Sequence, residues 1–194
     1  MKTRAELIQT VIDAIKAKSY LEVGLCTGDT WRQIVAPYKV SVDTNPSCGA
    51  THTMTSDEFF KMNKSEFDVI FIDAYHEKTQ VLKDINNALL CLSPGGAIVT
   101  HDTLPNLKIC IDPTLCWNAW EAFAELRHTN PNIYMASIPF TVEGVGCGVI
   151  RHGTQKLFAL DIPYTYENYE LHQKEWMNVI TPDELLNELH RCNA

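Results

Sequence analysis

One run of residues limits the fold more than any other: Phe67-Asp68-Val69-Ile70-Phe71-Ile72-Asp73. Apart from Asp68 it is apolar until its last residue, without the alternation that marks a strand with one wet face. Such a strand is buried on both faces, as in parallel sheets covered by helices on either side. A helical pattern follows at Val81, Leu82, Ile85, Ala88 and Leu89 and stops before Ser93-Pro94-Gly95-Gly96. The next strand is Ala97-Ile98-Val99-Thr100, ending at His101-Asp102.

The same punctuation runs through the rest of the chain. Leu7, Val11, Ile12, Ala14 and Ile15 recur at helical spacing within residues 4–18. Tyr20-Leu21-Glu22-Val23-Gly24 reads as a buried strand, residues 30–36 as a short helix closed by Pro37, and residues 38–42 as a second strand ending at Asp43. Residues 51–54 form a weaker third strand, followed by a helix from Ser56 or Asp57. This alternation, from residue 20 to residue 128, implies right-handed βαβ crossovers in a parallel sheet. Residues 132–138 and 144–151 suggest two more strands joined by a turn near Glu143-Gly144, an antiparallel hairpin at the sheet edge. Thr181-Pro182-Asp183-Glu184 is a capping box with proline at the first helical position. The expected architecture is a Rossmann-like three-layer α/β/α sandwich with a mostly parallel seven-stranded sheet and an antiparallel C-terminal hairpin. Residues 1–194 make a single domain: an N-terminal helix over 1–18, the core over 19–151 and a tail with helices over 152–194.

The length supports one core, which at this size buries about 70 % of the surface of the unfolded chain. With 45 % hydrophobic and 21 % charged residues the chain is neither disordered nor membrane-spanning. A net charge of -8 removes the general positive field that draws proteins to nucleic acid. The opening Met1-Lys2-Thr3-Arg4-Ala5-Glu6 does not lead into a signal-peptide core, so a cytoplasmic location is expected. The seven cysteines, Cys26, Cys48, Cys91, Cys110, Cys116, Cys147 and Cys192, include no C-x-x-C pair and are read as reduced thiols.

Ligands of an open parallel sheet bind beyond the carboxyl ends of its strands. At those ends stand Glu22 with the loop from Gly24 to Gly28, then Asp43, then Asp73 leading to His76, then His101-Asp102. Acids and imidazoles at four strand ends exceed what packing requires. Gly24 and Gly28 allow a tight turn and a close backbone approach. Asp43 lies 21 positions after Glu22, about the separation that places an acid on ribose hydroxyls in a Rossmann unit. The spacing Gly24-x-x-x-Gly28 departs from the G-x-G-x-x-G of dinucleotide enzymes. Asp68, early in its strand, is assigned to the opposite rim. Trp120 and Phe123, with Trp117, are spaced as one helical face; Trp117 or Tyr75 is the alternative wall of an acceptor pocket. Gly144-x-Gly146-x-Gly148 is read as close backbone approach without chemistry.

Glu22-x-Gly24-x-x-x-Gly28-x-Thr30, Asp43, the run from Phe67 to His76 and the run from Leu92 to Asp102 together resemble class I S-adenosylmethionine-dependent methyltransferases. Within the class they look most like the macrocin-type sugar O-methyltransferases and, more distantly, the catechol O-methyltransferases. The resemblance spans residues 19–105. It implies that Glu22, Gly24, Thr27, Gly28 and Thr30 face the methionine part of the cofactor, Asp43 its ribose and Thr55-Ser56-Asp57 its adenine side, with Asp73 also at the cofactor. It implies a general base at His76 and a divalent metal (Mg, Mn or Fe) at Asp73, His101 and Asp102. An imidazole at 101 tilts that site toward manganese or iron, or toward no metal.

The implied activity is O-methylation of a sugar or other small molecule, with no nucleic acid or membrane partner and with a homo-oligomer left open. An NAD-dependent oxidoreductase or epimerase, and a catalytically idle Rossmann-fold binding protein, are the rival readings.

Overall fold

A computed structural model of the chain describes residues 1–142 and 144–191. Its elements run α1 (Arg4–Ile15), β1 (Ser19–Val23), α2 (Asp29–Gln33), β2 (Tyr38–Asp43), β3 (His52–Thr53), α3 (Ser56–Met62), β4 (Phe67–Ile72), α4 (Lys78–Leu90), β5 (Leu92–Pro105), α5 (Ala119–Thr129), β6 (Ile133–Ile138), β7 (Val145–His152), α6 (Tyr166–Trp176) and α7 (Pro182–Arg191). One seven-stranded sheet has the order β3-β2-β1-β4-β5-β7-β6. Its first five strands pair in parallel, and β7 pairs antiparallel with both β5 and β6. This is the Rossmann-like sandwich that the sequence leads one to expect.

β4 is covered on both faces. Ile70 and Ile72 point into a core shared with Phe59 of α3, Val81 and Ile85 of α4, and Trp120 and Phe123 of α5. Val69 and Phe71 point into a second core with Leu7, Ile8 and Val11 of α1 and Leu185 and Leu189 of α7. Each such side chain is worth about 1.5–3 kcal/mol when fully buried, so the apolar run is the main anchor of both layers. Asp68, at the amino end, accepts the backbone N–H groups of Lys18 and Ser19 at 2.6 and 3.1 Å and serves structure alone.

Several boundaries differ from those the sequence suggests. Ser93-Pro94-Gly95-Gly96 is absorbed into β5, because Leu92 already pairs with Phe67 and Gly95 takes a positive φ of 80° within the extended run. His101 and Asp102 accordingly lie inside β5. They mark a shift of register between Thr100 and Leu104, and Asp102 has φ 59°. α2 ends at Gln33, short of Pro37, and β3 has only two residues. Trp117, with φ 48°, precedes α5 and leaves Trp120 and Phe123 to form the buried face. The turn proposed at Glu143-Gly144 falls partly, and Cys192 wholly, outside the described residues.

The glycines of β7 act as the sequence indicates. A Cβ on Gly148 would stand 2.1 Å from Phe123 Cε2, and one on Gly146 would stand 2.4 Å from the Ile138 carbonyl oxygen. The Thr181 capping box of α7 forms, with the Glu184 carboxylate accepting from Thr181 N and the Thr181 hydroxyl accepting from Glu184 N. Among the described residues no helix is long and apolar enough to cross a membrane.

Candidate active site

The order of strands reverses between β1 and β4, and two clefts open beyond their carboxyl ends, where such folds bind ligands. The first has a volume of about 420 Å³ and is bounded by Gly24, Asp43, Met54, Ser56, Asp73 and Gln80, among others. The second, of about 360 Å³, is bounded by Arg4, Asp73, His76, His101, Asp102 and the segment holding Leu115 and Cys116. Asp73 belongs to both.

The first cleft owes its shape to the turn after β1. Gly24 has φ 91°, and a Cβ there would stand 2.1 Å from the carbonyl oxygen of Asp73, so glycine is required for the two strand ends to pass. Asp43 braces the turn: its Oδ2 accepts from the N–H groups of Leu25 and Cys26, both at 2.8 Å, and its Oδ1 from Asn45 N at 2.8 Å. On the far wall Gln80 donates to Ser56 Oγ and Asp57 Oδ1, both at 3.3 Å, tying α4 to the start of α3.

The sequence-derived cofactor residues divide accordingly. Gly24, Asp43, Ser56 and Asp73 line the first cleft, whereas Glu22, Thr27, Gly28 and Thr30 stand outside its lining. Glu22 shares the α1 face of β1 with Tyr20, is 1 % exposed, and accepts the Tyr20 hydroxyl at 2.6 Å. Burial is the main cause that lifts its carboxyl to about 7, against the opposing hydrogen bond from Tyr20. Thr27 donates to Asp29 at 2.7 Å, Gly28 caps α2 with φ 75°, and Thr30 accepts from Arg4 Nε at 2.9 Å. The last three shape the turn and the helix behind it.

In the second cleft Asp73, His76 and Asp102 converge: one ligand atom from each lies within 4.8 Å of the others. His76 Nε2 is 3.1 Å from Asp102 Oδ2 and 3.5 Å from Asp73 Oδ1. Its Nδ1 faces the carbonyl oxygen of Leu115 at 2.5 Å; a carbonyl can only accept, so Nδ1 carries hydrogen. The helix cap at this point is Glu77, which receives the N–H groups of Thr79 and Gln80, so His76 has no capping duty. His101 Nδ1 lies 2.9 Å from Asp102 Oδ1 and 3.4 Å from Asp73 Oδ1, and its Nε2 is 3.3 Å from Arg4 Nη1. Cys116, a free thiol, donates to Asp102 Oδ1 at 3.3 Å.

Burial works against ionisation of Asp73, but the His101 charge and hydrogen bond, the His76 hydrogen bond and the Arg4 charge outweigh it and hold the carboxyl far below the usual range. Burial likewise opposes protonation of His76, yet the hydrogen bond to Asp73, the charges of both carboxylates and the Leu115 carbonyl raise its pKa above 6.5. Tyr75, 61 % exposed and part of the lining of the first cleft, meets Trp117 edge to face at 5.7 Å and 82°.

Sequence reasoning missed Arg4, Met54, Gln80, Leu115 and Cys116. None sits in a motif: Arg4 and Gln80 lie in the first turns of helices, and Leu115 and Cys116 in an irregular connection. Only topology brings them to the strand ends.

Residues 12–103 match the family described as a methyltransferase domain. Over that stretch, 92 of the 194 residues, the chain resembles a methyltransferase domain. Solved structures of similar fold include an O-methyltransferase from Bacillus cereus in complex with SAH, at 16 % identity over 77 % of this chain and 80 % of that one with a TM-score of 0.58. The O-methyltransferase TomG from Streptomyces achromogenes, in complex with SAM, gives 17 %, 78 %, 80 % and 0.59. A putative caffeoyl-CoA O-methyltransferase from Staphylococcus aureus gives 16 %, 79 %, 85 % and 0.61. No curated protein sequence gives a significant match to this chain. At these identities the structures speak for the fold of the chain and no further.

Proposed function

We propose that this methyltransferase moves the methyl group of S-adenosylmethionine to a hydroxyl oxygen of a sugar or other small molecule. The observation that carries the reading is the pair of clefts meeting at Asp73, one beside the Gly24 turn and the other beside an imidazole held between two carboxylates. The first cleft has the size of a small-molecule site, about 300–1,000 Å³. Its lining suits the donor: Gly24 on the methionine side, Asp43 at the ribose, and Ser56 with Gln80 at the adenine end.

The bound donor supplies a methyl group on a sulfonium: the C–S bond breaks with its electron pair going to sulfur while the C–O bond forms. The protein's part is alignment and the management of one proton. With Nδ1–H given to Leu115, the basic nitrogen of His76 is Nε2, directed into the second cleft. It takes the hydroxyl proton, and Asp73 and Asp102 stabilise the imidazolium that results.

A divalent cation is a second reading, favoured by the convergence of Asp73, His76 and Asp102. Two carboxylates and an imidazole fit manganese or iron. His76 takes the place that the sequence gives to His101, whose nitrogens face Arg4 and the carboxylates. A cation there would lower the acceptor's pKa and fix its oxygen.

The test is transfer from labelled S-adenosylmethionine across a panel of sugars and phenols, with and without EDTA. Turnover is expected, and His76→Gln is expected to lower kcat by about 10²–10⁴. EDTA sensitivity selects the cation reading over the free base. Tight NADH binding with none to S-adenosylmethionine would refute the proposal, as would silence over the panel with His76→Gln unchanged in acceptor binding.

A further inference from the structure

We infer that Gln80 determines which purine the first cleft accepts: its carboxamide oxygen takes a hydrogen bond from the 6-amino group of the donor's adenine and turns a 6-oxopurine away. The inference rests on the reading of that cleft as the S-adenosylmethionine site.

Gln80 stands in the first turn of α4, where the Glu77 carboxylate accepts its backbone N–H at 3.2 Å. Its side chain crosses to the start of α3. Nε2 donates to Asp84 Oδ1 at 3.0 Å and to Ser56 Oγ and Asp57 Oδ1, both at 3.3 Å, so one of its two hydrogens is shared. Asp84 is buried at 1 % exposure in this seam between the helices. Asp57 is ionised, because the hydrogen bond from Lys83 to its Oδ2 at 2.5 Å holds the carboxyl below the usual range. An ionised carboxylate only accepts, so the nitrogen of the Gln80 amide, and not its oxygen, faces the seam. The oxygen occupies the other branch of the carboxamide. It takes no hydrogen bond from any described residue, and Gln80 is half-buried at the border of the cleft.

Asp57 also borders the cleft, but both of its oxygens already have donors, Oδ1 in Gln80 and Oδ2 in Lys83. Gln80 Oε1 has none. A carbonyl oxygen selects a ligand that brings an N–H, which is what the exocyclic amine of adenine carries. A 6-oxopurine brings an acceptor to the same corner, and two carbonyls would oppose each other. Met54 borders the same cleft and offers a soft apolar surface to a flat ring. Glutamate could not take the place of Gln80, because a carboxylate cannot donate to Asp57 and Asp84; only a carboxamide donates into the seam and accepts from the cleft.

The experiment is calorimetric titration of the whole chain with S-adenosylhomocysteine and with its 6-oxo analogue, S-inosylhomocysteine, for the wild type and for Gln80→Met. The wild type should bind the 6-amino ligand at least about tenfold more tightly, since a hydrogen bond is replaced by an unpaired and opposed acceptor. Gln80→Met should bring the ratio of the two affinities to within about twofold of unity, a change that a merely structural tie between α3 and α4 would not produce because it would weaken both ligands alike. Discrimination that survives in a folded Gln80→Met would place the reader elsewhere on this wall and overturn the inference. If Gln80→Met does not unfold cooperatively in urea, Gln80→Asn keeps the carboxamide but withdraws it by one methylene and should lose the discrimination too; retained discrimination refutes the inference. Equal binding of both ligands by the wild type overturns the inference alone and leaves the donor site standing. If neither ligand binds, the donor reading falls and the inference falls with it.

Discussion

Glu22→Gln should flatten the dependence of stability on pH. Glu22 is an acid at 1 % exposure, with its carboxyl lifted from 4.5 to about 7 chiefly by burial. A folded-state pKa above the unfolded one means that the native protein holds the proton more tightly. The stability it brings is complete below about 4.5 and is lost as pH rises through about 7. At about 1.4 kcal/mol for each tenfold, the loss across that window is about 3 kcal/mol, a large part of the 5–15 kcal/mol that holds a typical domain together. Asp73, depressed when folded, loses its contribution only in strong acid, below this window. His76, raised when folded, loses its contribution above 6.5 and adds to the decline on the alkaline side. Urea unfolding at pH 5, 6, 7 and 8 should show the wild type losing stability while Glu22→Gln, which cannot ionise and still accepts from Tyr20, loses about 3 kcal/mol less. Tyr20→Phe removes the hydrogen bond that favours the ionised form and should steepen the wild-type decline. Parallel curves for wild type and Glu22→Gln would refute the reasoning, because they would mean that the carboxyl is not buried in the folded state.

Gly148→Ala forces a methyl to within 2.1 Å of Phe123 Cε2 and should cost about 1–3 kcal/mol in thermal or urea unfolding. Asp43→Ala removes the acceptor of two turn N–H groups and should weaken S-adenosylhomocysteine binding at least about tenfold by calorimetry, at about 1.5–3 kcal/mol for each bond to a charged group. If His76 works as a free base, the acid limb of the pH–kcat profile should lie above 6.5, because His76 must shed its proton first and its pKa is raised. Thr181→Ala should cost α7 about 1 kcal/mol, read as a lowered unfolding midpoint.

The layers of the fold were legible because burial on two faces writes itself as an unbroken apolar run, and β4 has one. The two-sided cores around Ile70 and Phe71 follow from that run alone. The site was legible only as a set of strand ends. Asp43 and Asp73 end strands and line clefts, but Glu22 shares the α1 face of β1 with Tyr20, since residues two apart in a strand face the same way, and is buried there against the Tyr20 hydroxyl. A motif fixes position in the chain, whereas the pleat fixes direction. His101 and Asp102 were read as the end of a strand that in fact continues to Pro105; a bulge there leaves no mark in composition. Arg4 was illegible for another reason: its partners lie 26 and 97 residues away, and no local pattern records a contact of that separation.

Asp73 ties these observations together. As the first residue past β4 it lies where the strand order reverses, so it borders both clefts. Its carbonyl oxygen occupies the space a side chain at Gly24 would need, and its carboxylate receives Arg4, His76 and His101. A carboxylate kept ionised beside three cationic or ionisable partners places fixed negative charge between the clefts. On the proposed reading that charge would complement the donor's sulfonium on one side and the His76 imidazolium on the other. Asp73→Asn keeps the shape and removes the charge, so its effect should fall on kcat far more than on unfolding; equal loss of both would mean that Asp73 serves the fold and not the transfer.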